Sequence, residues 1–167
     1  MNRVVLDSSV LLKSIFRPHR SLPEDAYARE QETHRKCIVL LNLIDESGVE
    51  AYIPRVCIVE TAAVAKRLSN RDMARKISRG ILESYEVVDE SLLFDTAWMI
   101  AMDTGCSGFD SYFIALATIK SATLITDDNG MHRIARGNGV DSILVRDADA
   151  GTIEGLVEAE PDCDADR

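Results

Sequence analysis

Five short apolar runs, each separated from the next by a longer helical pattern, constrain the fold of this chain more than any other feature. The runs are VVL at 4–6, EAYIP at 50–54, YEVVDE at 85–90, TLITDD at 123–128 and DSILV at 141–145. Strands that alternate with helices along a chain build one layered domain with a mostly parallel sheet. We therefore predict a three-layer α/β/α domain over residues 1–150, with about five strands. Residues 151–167 are predicted to hold a helix end and an acidic, frayed tail.

Residue types that build zinc sites, disulfide frameworks or membrane spans are scattered in this sequence. The four cysteines form no C-x-x-C pair, and the three histidines stand apart. This pattern argues against a zinc site and a disulfide framework, so we expect reduced thiols in a cytoplasmic protein. No apolar run approaches the ~20 residues of a membrane span. The N-terminus, whose apolar stretch Asp7 interrupts, is predicted to be a first strand and not a signal peptide.

Charge is unevenly distributed along the chain. The net charge is −9, yet residues 1–80 hold 14 Lys and Arg against 10 Asp and Glu, a balance of +4. Residues 81–167 hold 5 against 18, a balance of −13. The basic residues gather at 66–79, where they could steer nucleic-acid phosphates, form a solvated helix face or pair with acids of a partner. An acidic protein can still present one basic face to a phosphate backbone.

Four carboxylates are predicted to converge at one edge of the sheet. Asp7 follows the first strand and Asp128 follows the fourth. Asp110 opens the helix that leads back into the fourth strand, and Glu60 lies early in the helix after the second strand. Ligands of a parallel α/β sheet bind beyond the carboxyl ends of its strands. These four side chains are therefore the candidate site.

Each acid also has a purely structural interpretation. Three of them stand where a helix begins and are good N-caps, namely Asp7, Asp110 and Asp128. Glu60 stands among apolar residues, and Lys66 and Arg67 follow it by six and seven positions, not the three or four that suit a helix pair. Two carboxylates ~4 Å apart repel by about 4 kcal/mol at an effective dielectric of 20. A cluster of four therefore needs a cation, and all-oxygen ligands suit Mg²⁺ or Mn²⁺.

These motifs resemble those of the PIN-domain family, particularly its stand-alone prokaryotic members, the VapC-type toxins. The matching segments are VVLDSSVLL with Asp7, IPRVCIVETAAVAKRL with Glu60, GFDSYFIALATIKSA with Asp110, and LITDDNGM with Thr126 and Asp128. Each motif alone is weak, whereas four in the expected order are fairly specific. Together they cover about residues 1–145.

The resemblance implies a PIN-like fold and a Mg²⁺- or Mn²⁺-dependent endoribonuclease that hydrolyses RNA phosphodiester bonds. The implied metal ligands and catalytic groups are Asp7, Glu60, Asp110 and Asp128. Two hydroxyl groups are implied to hold the carboxylates and water in place, those of Ser9 and Thr126. The resemblance also implies a homodimer and, for toxins, an antitoxin that docks near the active site. Four basic side chains are candidates for binding RNA, namely Lys13, Lys66, Arg67 and Arg133.

The sequence departs from the family pattern in two places. Residues 17–36 are polar and longer than in compact toxins, and we predict a loop that leads into a helix. A lid, a substrate arm, an antitoxin-docking element and a plain solvated insertion all stay open for this segment. Met131 stands where an aromatic residue is common and is predicted to fill the core.

The same residues leave functions other than a toxin nuclease open. A PIN-like nuclease that processes RNA outside a toxin pair is one alternative, and a non-enzymatic PIN-like binding module is another. Haloacid-dehalogenase and receiver chemistries need a second acid near the first strand, which the segment DSS at 7–9 lacks.

The adjacent aspartates after the fourth strand are predicted to differ in role. Family spacing places the metal-facing carboxylate at Asp128, two residues after Thr126. Strand alternation turns Asp127 away, so we predict that it caps the following helix or faces water. Asp128→Asn should then abolish cleavage, whereas Asp127→Asn should cost about 1 kcal/mol of stability through a lost cap.

Overall fold

The computed structural model describes residues 2–158, and within them five strands alternate with eight α-helices. The strands are β1 (Arg3–Leu6), β2 (Glu50–Pro54), β3 (Glu86–Val88), β4 (Thr123–Thr126) and β5 (Ser142–Leu144). The helices are α1 (Ser8–Ile15), α2 (Glu24–Ser47), α3 (Val56–Leu68), α4 (Arg71–Ser84), α5 (Phe94–Thr104), α6 (Gly108–Lys120), α7 (Asn129–Gly137) and α8 (Ala150–Glu158), with a 3₁₀ turn at Glu90–Leu92. The predicted acidic tail lies largely in residues 159–167, outside the described residues.

The five strands form one sheet in the order β3-β2-β1-β4-β5, and every pair is parallel. Parallel crossovers are right-handed, which places α1–α4 on one face of the sheet and α5–α7 on the other. Contacts agree, because α1 packs on α2 and α3, whereas α6 packs on α5 and α7. The predicted α/β/α fold with a parallel sheet is thus confirmed. The chain changes its direction of travel between β1 and β4, so their carboxyl ends border the crevice where such sheets bind ligands.

The strands that border this crevice are buried except at their first residues, Arg3 and Thr123. Val4, Val5 and Leu6 of β1 and Leu124 and Ile125 of β4 have no exposed surface. Helices cover both faces of these strands, and strands buried on both faces are apolar at consecutive positions. The rigid centre of the domain therefore carries the residues that follow β1 and β4.

Helix α6 is the most buried helix at the centre of the fold. Its consecutive residues 113–117 are all buried, because it packs on β1, β2 and β4 while α5 covers its outer side. The sequence prediction that Asp110 begins this helix is wrong. The helix begins at Gly108, and Ser107 is its N-cap, whose Oγ accepts a hydrogen bond from the Asp110 backbone N–H at 3.1 Å.

The polar segment 17–36 is a loop that leads into a helix, as predicted. Residues 24–36 form the first half of α2, which packs against α1 and α8. Thr33 of this half is buried, so the helical part of the segment belongs to the body of the domain.

Met131 is 3% exposed, which confirms its place in the core. Within residues 2–158, no helix has the length and apolar character to cross a membrane.

Candidate active site

Asp7 is the most buried acid of the predicted cluster. Its backbone carbonyl accepts from Val10 N–H at 3.1 Å, which places Asp7 at the N-cap position of α1. Its carboxylate, however, makes no capping hydrogen bond. It lies within 3.2 Å of the Ser8 Oγ and accepts from Thr126 Oγ1 at 2.7 Å and from Ser9 Oγ. Helix capping therefore does not explain why this side chain is an acid.

The two predicted hydroxyl residues connect the ends of β1 and β4. Thr126 Oγ1 donates to Asp7 and accepts from the Asp128 backbone N–H at 2.9 Å. Ser9 Oγ likewise donates to Asp7 and accepts from the Asp127 backbone N–H at 3.1 Å. The Asp7 carboxylate is thus held by groups whose own positions are fixed by the chain after β4.

Ser8 is a site residue that the sequence reasoning missed. Its Oγ lies 2.9 Å from Glu60 Oε2 and 3.2 Å from Asp7 Oδ1, so one hydroxyl group joins two of the predicted acids. Glu60 lies 52 positions further along the chain, so local sequence gives no signal of this contact. Only the position of Ser8, directly after Asp7 in DSS, could have suggested it.

Glu60 projects from α3 and is half-buried, and its neutral partner is Ser8. Lys66 and Arg67 are exposed at the end of the same helix. Among the described residues no Lys or Arg forms an ion pair with Glu60. Its structural alternative, a salt bridge to Lys66 or Arg67, is therefore not what the structure contains.

Asp110 and Asp128 complete the predicted set. Asp110 is half-buried in the first turn of α6. Asp128 is exposed and caps α7, because its Oδ1 accepts from Met131 N–H at 2.9 Å. The capping interpretation of Asp128 is therefore correct for one oxygen. Its charge also reaches Asp110, since it raises the pKa of that carboxyl.

Three of the four acids have raised pKa values. Burial is the largest cause of the raised pKa at Asp7, and the hydroxyl groups of Ser9 and Thr126 oppose it. Burial also raises the pKa of Glu60, with further contributions from the charges of Asp7 and Asp110. The pKa of Asp110 rises through burial and through the charges of Asp128 and Asp7. The charges of Asp7 and Asp110 thus act on Glu60, and those of Asp128 and Asp7 act on Asp110.

The donor set fits a hard divalent cation. Within residues 2–158 no three His, Cys, Asp or Glu side chains are arranged to enclose an ion by themselves. Mg²⁺ usually has one or two protein carboxylates, with waters and substrate phosphate at its other positions. The four acids repel one another and form no ion pair with a Lys or Arg of the described residues, so they match a cation that is held by a few carboxylates and by water. If this cation binds, Asp7, Glu60, Asp110 and Asp128 are the residues to hold it.

Glu60→Gln is expected to stabilise the cation-free protein. A carboxyl whose pKa is raised by folding favours the folded state when protonated, and this stability is lost as pH rises through the folded pKa. Gln keeps the size of Glu and an oxygen for Ser8, but removes the charge beside Asp7 and Asp110. We expect the Tm of the variant in excess chelator at pH 8 to be about 2–4 °C higher than that of the parent, which corresponds to about 1 kcal/mol of folding free energy in a protein of this size. The gain should shrink as pH falls towards 4, and calorimetric scans across pH measure it. A variant less stable than the parent at pH 8 would contradict the raised pKa.

The sequence prediction for Asp127 is wrong. Asp127 neither caps α7 nor faces water, because Asp128 is the cap and Asp127 is 3% exposed. Its carboxylate binds the Lys13 ammonium and accepts from Arg146 Nε and Nη2, both at 2.9 Å. Strand alternation does turn it away from Thr126, but that side is covered by α1 and by the chain after β5. Burial opposes the charge, yet hydrogen bonds from Arg146 and then Lys13 outweigh it and lower the pKa of Asp127.

The predicted RNA-binding residues are found in different surroundings. The Lys13 ammonium lies between Asp127 and Glu30, so it belongs to this ion cluster and not to a free basic surface. Lys66, Arg67 and Arg133 are exposed, and none of them forms an ion pair within the described chain. They stay candidates for contact with phosphates.

Comparison with solved structures identifies the same fold in other proteins. The VapBC2 complex of Rickettsia felis, solved bound to a DNA fragment from its promoter, contains a chain with a TM-score of 0.58 at 13% identity, which covers 84% of this chain and 97% of that one. FitAcB of Neisseria gonorrhoeae gives a TM-score of 0.53 at 18% identity over 87% and 99%. PAE2754 of Pyrobaculum aerophilum gives 0.56 at 16% identity over 93% and 89%.

Sequence comparison gives the family. Among curated proteins none matches this chain. The PIN domain model, by contrast, matches residues 4–137, a span that contains all four acids and the Ser9 and Thr126 hydroxyl groups. The chain belongs to the PIN domain family.

Proposed function

We propose that this protein is an endoribonuclease that depends on Mg²⁺ or Mn²⁺ and acts as the toxin of a toxin–antitoxin pair. The observation that carries the proposal is the Ser8 hydroxyl between two acids, 3.2 Å from Asp7 Oδ1 and 2.9 Å from Glu60 Oε2. The charges of Asp7 and Asp110 add to burial in raising the pKa of Glu60, and no Lys or Arg within residues 2–158 forms an ion pair with Glu60. Membership of the PIN domain family supports a nuclease. Water would attack the phosphorus, the P–O3′ bond would break, and the 3′ oxygen would take a proton, which leaves a 5′-phosphate and a 3′-hydroxyl.

In this proposal each group of residues has a separate task. The cation, when bound, supplies charge stabilisation at the phosphate and a water acidic enough to attack near neutral pH. Asp7, fixed by the Ser9 and Thr126 hydroxyl groups, is the anchoring carboxylate. Glu60, Asp110 and Asp128 would hold the cation beside Asp7, and its positive charge would offset the burial and the neighbouring acids that raise the pKa values of Glu60 and Asp110 in the cation-free protein.

Cleavage of RNA with and without divalent cations tests the proposal. Purified protein should cleave a mixture of single-stranded and structured RNAs in Mg²⁺ or Mn²⁺, and excess chelator should stop it. Chemical analysis of the ends should find 5′-phosphates. Cleavage that continues in chelator would exclude the proposed chemistry, and so would products with 2′,3′-cyclic ends.

The proposed antitoxin partner is supported by the complexes in which the structural neighbours were solved. VapBC2 and FitAB are both two-protein complexes that were solved bound to DNA fragments, and the FitAB chain gives a TM-score of 0.59 at 17% identity over 87% of this chain and 97% of that one. We propose that a small DNA-binding protein likewise pairs with this chain and restrains its activity. Co-expression with the protein encoded by the neighbouring reading frame should yield a stable complex without RNA cleavage. If this chain is produced alone without toxicity and does not bind the protein encoded by the neighbouring reading frame, a nuclease outside a toxin pair is favoured.

The proposed homodimer is supported by an apolar stripe on α5. Phe94, Trp98 and Met102 follow one another at four-residue spacing and are 56%, 55% and 58% exposed. Exposed apolar patches of this kind mark interaction sites. The exposed acids beside the stripe, Asp95 and Asp103, have no base on α5. Helix α4 exposes mainly the opposite charge, because Arg75, Lys76 and Arg79 lie beside its exposed Met73, and the one acid among them, Asp72, is paired with Arg75. We propose that α5 of one copy packs near α4 of a second.

Trp98→Ser is expected to convert the dimer to a monomer. The substitution removes the largest apolar side chain of the α5 stripe, and tryptophan is among the residues that contribute most to interfaces. Light scattering coupled to gel filtration measures the mass. The matched control is Val39→Ser, which removes an exposed apolar side chain, 51% exposed, from α2. A Trp98→Ser protein that stays dimeric would place the interface elsewhere.

A further inference from the structure

A groove beside the acids is not explained by the chemistry proposed above. It lies between α1, the loop after α1, α2 and α3, and encloses about 440 Å³. We call it the α1–α3 groove, and its walls include Leu12, Phe16, His19, His34, Val64 and Leu68. Small-ligand sites span ~300–1,000 Å³, so the space is large enough for one planar ring system.

The groove shares one residue with the candidate active site. Ser9 lines the groove, and its Oγ donates to Asp7. Helix α3 forms the second connection, because Glu60 lies near its start, while Val64 and Leu68 lie one and two turns further on. A polymer with one phosphate at the acids would therefore pass along α3 into the groove.

The groove combines aromatic and apolar walls with cations at its edge. Phe16, His19 and His34 supply three aromatic rings. Arg17 also lines the groove, is exposed, and forms no ion pair within the described residues. At the other end Leu68 directly follows the exposed Lys66 and Arg67. The carboxylate that lines the groove, Glu30, is already paired with Lys13.

This combination is the one that unpaired nucleotides require. Bases splayed out of a strand stack on aromatic rings or guanidinium planes, while Lys and Arg contact the backbone. The wall chemistry would also accept an apolar side chain of a protein. Unpaired cations at both ends of the groove, in a chain of net charge −9, favour a polyanion instead.

We propose that the α1–α3 groove binds an unpaired base of the RNA substrate next to the scissile phosphate. Phe16 and His19 form the stacking surface, and Arg17 and Arg67 contact the flanking phosphates. The groove would then set which base is tolerated beside the cleavage position. This assignment rests on the proposed ribonuclease function, because it takes the acids as the cleavage site.

Binding of a short, fluorescently labelled single-stranded RNA tests the assignment. Anisotropy titrations use an Asp7→Asn background, in which the RNA stays intact. Phe16→Leu, which keeps an apolar side chain but removes the ring, should weaken binding about tenfold. Arg17→Gln should also weaken binding, and because Arg17 is exposed this variant leaves the core undisturbed.

Two matched variants remove the same groups outside the groove. Tyr27→Leu removes a partly exposed ring from α2, and Arg20→Gln removes a charge three residues from Arg17; neither residue lines the groove. Both should bind RNA as the background protein does. Groove variants that bind RNA like these two controls would overturn the assignment, and so would groove variants that lose binding of a protein partner while RNA binding is unchanged.

Failure of the groove and failure of the nuclease proposal give different results. A wild-type protein that cleaves RNA, with groove variants unchanged in RNA binding and base preference, would overturn only the groove. A wild-type protein that never cleaves RNA but binds it through Phe16 and Arg17 would overturn the nuclease and the position beside a scissile phosphate, and would retain the groove only as a site that binds RNA.

Discussion

Asp7→Asn is expected to reduce divalent-cation-dependent RNA cleavage by at least about 100-fold, because the anchoring carboxylate loses its charge. Asp7 has more contacts than any other acid of the cluster, since three hydroxyl groups lie around it. Asn keeps the shape and one acceptor oxygen, but it holds a hard cation much less strongly. Cleavage at saturating Mn²⁺ and Mg²⁺, with the Asp128→Asn and Glu60→Gln proteins in parallel, measures the loss.

The control for Asp7→Asn must separate chemistry from folding. Asp7 is buried with a raised pKa, so removal of its charge should not destabilise the cation-free protein. Thermal scans in chelator should therefore find Tm unchanged or higher. Asp45→Asn makes the same chemical change at an exposed position of α2 and should cleave normally. Full activity of the Asp7→Asn protein would exclude Asp7 from the reaction.

Asp127→Asn is expected to cost about 3 kcal/mol of folding free energy, the lower end of the range for breaking a buried ion pair. The lower end applies because Asp127 is buried, whereas Lys13 and Arg146 are partly exposed and can regain water. Tm should fall by roughly 6–12 °C in a protein of this size. This loss is larger than the ~1 kcal/mol that follows from a missing helix cap.

The cost of Asp127→Asn should depend on pH in a defined direction. The folded pKa of Asp127 is lowered, so its charge stabilises the fold above the unfolded pKa of ~3.9 and ceases to do so as pH falls through the folded pKa. The difference in Tm between the parent and the variant should have its full size at pH 7 and should disappear below about pH 4. Asp141→Asn breaks an exposed pair with Arg136 and should cost at most ~1 kcal/mol. Equal stability of the Asp127→Asn and parent proteins at pH 7 would contradict the account.

The layered fold and the meeting of the acids were predictable because both follow from periodicity and topology. Apolar runs alternate with helical patterns, which indicates parallel strands, and parallel strands bring the residues after β1 and β4 to one edge. The beginning of α6 was predicted wrongly despite a local signal. Ser107 and Asp110 form an S-x-x-D capping pattern, which marks Ser107 as the first residue before the helix.

The surroundings of Asp127 could not be predicted from local sequence. Its two cationic partners lie 114 and 19 positions away, at Lys13 and Arg146. Alternation along β4 correctly turns Asp127 away from Thr126, but it does not reveal what covers that side. The two adjacent aspartates therefore avoid mutual repulsion in different ways. Asp127 is neutralised by two side chains of the protein, whereas Asp128 faces the cluster that we propose holds a cation.

Binding of a divalent cation by that cluster is what the proposed cleavage chemistry requires. Mn²⁺ titrations by isothermal calorimetry, on the cation-free parent and on the Asp7→Asn and Asp45→Asn proteins, measure this binding. We predict saturable binding to the parent and Asp45→Asn proteins, and affinity weakened at least about tenfold in Asp7→Asn. Equal Mn²⁺ affinity in all three proteins, or no binding to the parent, would contradict the assignment of these acids as the metal centre.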